Sequence, residues 1–239
     1  MATISLCMIV KNESAVLARC LDSIADLMDE IIIVDTGSTD NTKEIAAQYT
    51  SRIYDFKWTS DFSAARNFSF SKATMEYIYT ADADEILDDA NRERFLRLKD
   101  TLLPEIEIVQ MKYVTQGTFD TVLNAKKEYR PKLFRRLRTF TWIDPIHETV
   151  RLTPVTFDSD VEILHCPQSL HSKRDFSIFI KAFEHDGQFS PKIRTMYAKE
   201  LLKTGDKKDF TDAKPIFQLI FDNDPADDAR KEAACVLAR

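Results

Sequence analysis

Four short strand-like segments punctuate the first 80 residues, and the stretches between them read as helical. They fall at residues 4–10, 30–35, 52–56 and 77–80, and all but the third are apolar runs. The second, Glu30-Ile31-Ile32-Ile33-Val34-Asp35, is apolar without alternation, as a parallel strand covered on both faces is. After the first run, Val16, Leu17, Cys20, Leu21, Ile24 and Leu27 recur at helical spacing, which makes one face of a helix apolar. Ser14 is placed to cap that helix. Asn41, with Glu44 three residues on, has the form of a capping box for a short second helix. Residues 63–72 read as a third helix. Strand and helix alternating in this way predict an α/β fold with a mainly parallel sheet, flanking helices and right-handed crossovers.

In such sheets ligands sit beyond the carboxyl ends of the strands. Lys11, Asn12 and Glu13 follow the first run, Asp35 ends the second, and Asp82-Ala83-Asp84-Glu85 follows the fourth. Two carboxylates at i and i+2 leaving a strand can meet one hard cation and the phosphates it neutralises. Asp-x-Asp also occurs in ordinary turns, where Asp is favoured for its own backbone bonds. Its position at the end of an apolar strand, on the edge where the other polar residues converge, favours the ligand reading.

Beyond the motif, residues 93–103 read as helix, and 107–115 and 126–136 as extended segments. The last carries Lys126, Lys127, Arg130, Lys132, Arg135 and Arg136, which is either a solvated strand face or a surface for an anionic acceptor or a diphosphate. Residues 150–152 and 161–164 read as short strands that finish the sheet. After about residue 171 the character changes. Phe176, Phe179, Ile180 and Phe183 share one helical face, and Ser190-Pro191 and Asp224-Pro225 recur 34 residues apart, each with a capping residue before Pro. Helix–turn–helix units of that period are tetratricopeptide-like. The expected division is therefore an α/β domain over 1–171 and an all-α, repeat-like segment over 172–239. An ordinary helical subdomain is the alternative.

A chain of 239 residues, 44% hydrophobic and 30% charged, can build a sizeable core. A net charge of −6 argues against a nucleic-acid footprint. Four glycines leave little room for a Gly-rich phosphate loop. No run of about 18 apolar residues marks a membrane span, and the opening residues lack a signal-peptide pattern. Cys7, Cys20, Cys166 and Cys235 show no metal-type spacing and read as reduced thiols, in keeping with a cytoplasmic protein.

Taken in order, Ser5-Leu6-Cys7-Met8-Ile9-Val10-Lys11-Asn12-Glu13, Val34-Asp35-Thr36-Gly37-Ser38-Thr39-Asp40-Asn41-Thr42, Asp61-Phe62-Ser63-Ala64-Ala65-Arg66-Asn67, Asp82-Ala83-Asp84-Glu85 and Ile146-His147-Glu148 resemble family 2 glycosyltransferases of GT-A fold. The resemblance is to the bacterial group whose catalytic domain precedes tetratricopeptide-like helices, with sublancin-type peptide S-glycosyltransferases as relatives. One departure is Asp144-Pro145, where that group more often has Gly, on the acceptor side. The resemblance implies a Rossmann-like, mixed but mainly parallel sheet and an inverting transferase using a nucleotide-sugar, UDP-sugar favoured, with Mn²⁺ or Mg²⁺. It implies that Ile9, Lys11 and Glu13 line the nucleotide and that Asp35 bonds the base or ribose. Arg66 would approach the diphosphate, Asp82 the ribose or sugar, and Asp84 the metal. The acceptor would be a peptide, a glycan or a cell-surface polymer. The enzyme would be cytoplasmic or peripheral at the inner membrane face, with its C-terminal helices available for protein contact or self-association.

Each role has a plainer counterpart. Asp35 can cap its own turn, and Arg66 can be a structural ion pair, although a guanidinium suits phosphate bidentately. Inversion needs a base opposite the leaving group. Glu148 and Asp144 are the candidates, Glu148 preferred, and Glu148 can instead orient His147 or Arg151. His165 can join the metal shell, since imidazole suits Mn²⁺, or be a satisfied buried histidine. Trp142 and Phe140 are a sugar platform or core aromatics. Sugar-nucleotide synthesis would want a Gly-rich loop after the first strand. An Asp-nucleophile phosphatase would want its Asp-x-Asp there rather than after the fourth. The non-enzymatic alternative is an assembly module with a vestigial nucleotide-sugar site.

Overall fold

The computed structural model describes residues 1–115, 127–137, 142–143, 149–150, 153–166 and 172–239. The chain forms two compact units, and the larger carries every strand among the described residues. Its main sheet has the order β3-β2-β1-β4-β7-β6-β10-β5. The strands are β1 Ile4–Val10, β2 Glu30–Asp35, β3 Ile53–Asp55, β4 Tyr77–Thr80, β5 Glu85–Ile86, β6 Ile108–Thr115, β7 Lys127–Arg135 and β10 Thr156–His165. The first four pair in parallel, as the alternation of apolar runs and helices predicts. β7 then runs antiparallel to both β4 and β6, β6 and β10 are parallel, and β5 is an antiparallel edge against β10. The sheet is therefore mixed.

The helices of this unit are α1 Leu17–Ile24, α2 Thr42–Ala46, α3 Phe62–Phe70 and α4 Asp89–Thr101. Val16, Leu17, Cys20, Leu21, Ile24 and Leu27 are all buried in one core with Ile4, Leu6, Met8 and Tyr79. On the other side of β1 and β2, Cys7, Ile32, Val34 and Ile78 form a second cluster, joined by Phe68 and Phe70 of α3. Burial on both faces explains why β2 shows no polar alternation.

Three local expectations change. Ser14 does not cap α1, whose N-terminal residue Val16 makes no side-chain cap bond; the Ser14 amide instead donates to Asp40. Asn41 makes no side-chain cap bond, so no capping box forms; the Thr42 amide and hydroxyl donate to Asp40 instead. Val150 does not finish the main sheet. It lies in β9 Thr149–Val150, which pairs only with β8 Trp142–Ile143, and residues 151–152 lie outside the described residues.

The smaller unit contains α5 Ser172–Asp186, α6 Pro191–Thr204, α7 Lys207–Asn223 and α8 Asp227–Leu237. Its core is Phe176, Tyr197, Leu201, Ala213, Phe217, Ala229 and Ala233, with Phe179 stacked on Tyr197 at 4.7 Å. Ser190 caps α6 with Pro191 at its first turn, as expected. Asp224-Pro225 does not repeat this. Asp224 ends α7, its carboxylate accepts from Ala226, and α8 starts two residues beyond Pro225 without a side-chain cap. The 34-residue recurrence thus preserves letters but not their capping role. No helix among the described residues is long and apolar enough to cross a membrane. All four cysteines are free, with Cys7 and Cys20 buried.

Candidate active site

The carboxyl ends of β1 and β2 are clasped by side chains of the loops that follow. Asn12 takes up a positive φ of 56°, a conformation in which Asn is enriched. Its Oδ1 accepts from the Thr39 amide at 2.7 Å, and its own amide donates to Ser38 Oγ at 2.9 Å. Glu13 N donates to Thr42 Oγ1 at 2.8 Å, and Asp40 receives Ser14 N and Thr42 N, both at 3.1 Å. Ile9 is half-buried in β1, Lys11 is exposed and Glu13 half-buried, so all three sit on this edge.

Asp35 is 2% exposed. Its Oδ1 accepts from the Gly37 and Ser38 amides, each at 3.0 Å, so it does cap its turn. Gly37 makes that turn at φ 101°. Asp35 Oδ2, however, is buried and has no partner. A buried acceptor left unpaired costs free energy, and a donor from a ligand would satisfy it.

Beyond β4 the chain turns so that Ala83 and Glu85 are buried while Asp82 and Asp84 keep partial exposure. Arg66 approaches from α3, whose first turn is fixed by Asp61 accepting from Ser63 N at 2.8 Å and Ala64 N at 3.1 Å. Arg66 Nη2 lies 3.4 Å from Asp82 Oδ1, a long contact between two partly exposed groups. Burial pushes the Asp82 carboxyl up, but Lys132 and Arg66 outweigh it and hold it below the usual range. Asp84 Oδ2 is 2.9 Å from His165 Nε2, which β10 delivers to the motif. The His165 ring packs against Tyr113 at 5.0 Å, and its Nδ1 is buried without a partner.

The residues fit a divalent cation in part. Asp84 and His165 bring a carboxylate and an imidazole together, both acceptable to Mn²⁺. Among the described residues no group of three or more His, Cys, Asp or Glu side chains is placed to hold an ion. The remaining ligands would then be phosphate oxygens and water, the usual pattern for cations that arrive with a nucleotide.

Lys132, from the basic stretch, and Glu85, which closes the acidic motif, lie beneath it as a buried pair that the sequence did not foretell. Lys132 of β7 is 6% exposed and Glu85 2%. Lys132 Nζ reaches Glu85 Oε1 at 2.6 Å and Oε2 at 2.7 Å. Burial pushes the Glu85 carboxyl up, with Lys132 opposing the rise and Asp82 adding to it. Within the basic stretch, Lys127 pairs with Glu162, Arg130 with Glu128, and Arg136 donates to the Met75 carbonyl. With Lys132, four cations of the stretch are therefore engaged within the unit. Of the remaining candidates, Asp144 and Glu148 lie outside the described residues, as do Phe140 and His147.

The family model for Glycosyl transferase family 2 matches residues 5–153, more than half of the chain. The chain belongs to glycosyltransferase family 2. Among relatives, the TPR repeat-containing protein Synpcc7942_0270 of Synechococcus elongatus is 48% identical over 87 residues, covering 36% of this chain and 22% of the relative. The SPbeta prophage-derived glycosyltransferase SunS of Bacillus subtilis is 33% identical over 132 residues, covering 54% of this chain and 31% of SunS. The chain thus spans under a third of the length of these relatives. The glucosyl-3-phosphoglycerate synthase from Mycobacterium tuberculosis, solved with Mg²⁺ and uridine-diphosphate, aligns over 80% of this chain and 81% of that one. Its TM-score is 0.51 at 17% identity, a likeness of fold. The mixed, mainly parallel sheet with flanking helices is the GT-A arrangement expected of the family.

Proposed function

We propose that this chain binds a nucleotide-diphosphate sugar, UDP-sugar favoured, with Mn²⁺ or Mg²⁺, and transfers the sugar with inversion to an acceptor. The observation that carries the reading is the convergence of Asp35, Arg66, Asp82, Asp84 and His165 on one sheet edge. Neighbouring strands lie about 4.8 Å apart, and β1 separates β2 from β4, so the two acidic strand ends stand about 10 Å apart. A nucleoside diphosphate is long enough to bridge them. Its base would meet the unpaired Oδ2 of Asp35 beside Ile9, Lys11 and Glu13, and its ribose or sugar would lie near Asp82.

A divalent cation held by Asp84 and His165 would neutralise charge on the departing diphosphate. Arg66 would present a planar donor pair to the same phosphates. Its contact with Asp82 is long and partly exposed, so little is lost when it is exchanged for phosphate. On the acceptor side we propose Glu148 as the base, with Asp144 as the residue to test beside it. A peptide, glycan or cell-surface polymer is the proposed acceptor class, and the α5–α8 unit the proposed surface for steering it. A cytoplasmic or membrane-peripheral location is part of the same proposal.

Calorimetric titration with UDP, GDP and dTDP, with and without Mn²⁺, tests the reading. Metal-dependent binding of UDP is expected. A folded protein that binds none of them would overturn it in favour of an assembly module. The Asp84→Asn variant is expected to keep its fold and lose metal-stimulated transfer at least 100-fold, the scale of a lost charge-stabilising group. Undiminished, chelator-insensitive turnover in that variant would remove the metal role.

A further inference from the structure

We infer that the buried Lys132–Glu85 pair is a positioning device for the Asp82–Asp84 loop, setting how well that loop receives a cation with its nucleotide. The inference rests on the donor-site reading above and goes beyond it, because neither residue touches the nucleotide in that reading.

Lys132 lies one step past the Tyr79↔Leu133 pair of the antiparallel β4–β7 ladder, opposite the end of β4. An ammonium has three donors. Those of Lys132 face Glu85 Oε1 at 2.6 Å, Glu85 Oε2 at 2.7 Å and the Thr80 carbonyl at 3.4 Å. Thr80 is the last residue of β4 and Glu85 the first of β5, so one side chain ties together both ends of the loop that carries Asp82 and Asp84. Within the loop, the Glu85 amide donates to the Asp82 carbonyl at 3.1 Å and the Cys166 amide to the Asp84 carbonyl at 2.9 Å. Cys20 Sγ lies 3.5 Å from the same Asp82 carbonyl. The backbone of both aspartates is therefore held from below while their carboxylates keep some exposure.

A buried ion pair is a poor device for stability alone, since apolar replacements of both partners are often neutral or stabilising. Its worth here is geometric. A cation site works only when its few protein ligands are held in place by their surroundings.

The test separates position from stability and from charge. K132M alone leaves a buried carboxylate unpaired and is expected to be markedly less stable. The double variant E85M/K132M removes one charge of each sign, leaves the net charge unchanged and no buried polar group unpaired, and is expected to unfold near the wild-type temperature. Binding of UDP is then measured by calorimetry with and without Mn²⁺ on the whole chain. The expected result is UDP binding at least tenfold weaker in Mn²⁺, with metal-free UDP binding unchanged because the Asp35 end is untouched. Wild-type affinity in both conditions, or an equal loss in both, overturns the positioning role. Absence of Mn²⁺-dependent binding in the wild-type protein overturns the donor-site reading and this inference together.

Discussion

Asp35→Asn gives the sharpest test of the nucleotide end, because the surrounding bonds dictate which way the new amide must point. In the native protein Oδ1 accepts two backbone N–H groups, from Gly37 and Ser38 at 3.0 Å each, while Oδ2 is buried and unpaired. Two donors at the Oδ1 position select the amide oxygen of Asn, so the NH₂ group occupies the Oδ2 position. The turn then keeps both of its bonds, and the change in folding stability is expected to stay within about 1 kcal/mol. Ligand binding changes far more. The ring N–H of uracil would meet a donor in place of an acceptor. A hydrogen bond to a charged acceptor contributes about 1.5–3 kcal/mol, and about 1.4 kcal/mol is a factor of ten. UDP affinity should therefore fall roughly 10- to 100-fold.

Cytosine carries an acceptor at that ring position, so the same variant should shift its preference toward CDP relative to UDP. Asp35→Ala is the contrast, since it removes the turn bonds as well and should cost about 2 kcal/mol of stability. Calorimetry with UDP and CDP in Mn²⁺, beside thermal unfolding of each variant, reads both quantities. An Asp35→Asn protein that binds UDP as tightly as the wild type would refute the assignment of Oδ2 to the base.

Other consequences are independent of that one. Arg66→Lys keeps the charge and loses the planar fork, so the donor KM should rise about tenfold with the fold unchanged; an unaltered KM would return Arg66 to a structural pairing with Asp82. Burial raises the Asp40 carboxyl, but the bonds from Ser14 and Thr42 outweigh it and bring it down to about 2, from 3.8. A depressed folded pKa contributes stability that is present above about pH 4 and is lost as pH falls toward 2. Acid unfolding of the wild type should therefore be steeper over that window than that of Asp40→Asn. In the smaller unit, a Cβ on Gly205 would lie 2.6 Å from the Leu201 carbonyl oxygen, so Gly205→Ala should destabilise by about 1–3 kcal/mol in thermal unfolding.

What could be read in advance follows the range of the interactions involved. The apolar runs and the spacing of Val16, Leu17, Cys20, Leu21, Ile24 and Leu27 mark β1, β2, β4 and α1, because burial on a periodic element imprints its period locally. Caps were less legible. Asp40, Asn41 and Thr42 are all eligible, and a bond from the distant Ser14 amide helps decide which one acts. Within the basic stretch two of the partners could not be foreseen because they are remote in sequence: Glu85 lies 47 residues from Lys132, and Glu162 lies 35 from Lys127. The edge strand β5 is two residues long and leaves no pattern of its own. The Asp-x-Asp motif, by contrast, was visible because strand geometry alone brings Asp82 and Asp84 to the edge where Asp35 and Lys11 emerge.

The two halves of the sheet contribute differently to that edge. The parallel half, β3-β2-β1-β4, supplies the acidic strand ends, and α3, packed against β1 and β2, supplies Arg66. The other half supplies what holds the acidic motif: His165 arrives on β10 to face Asp84, and Lys132 on β7 to engage Glu85. The two arrive by opposite routes: β10 runs in the direction of β4 and delivers His165 as its last residue, whereas β7 runs against β4 and places Lys132, before its end, beside the carboxyl end of β4. On the proposed reading, recognition of the base would be encoded by the loops after β1 and β2, whereas the reception of a cation would depend on β7 and β10, later in the chain. A substitution that disturbs β7 or β10 should weaken metal-dependent binding while sparing metal-free nucleotide contact at Asp35, and one in the loops after β1 and β2 should do the reverse.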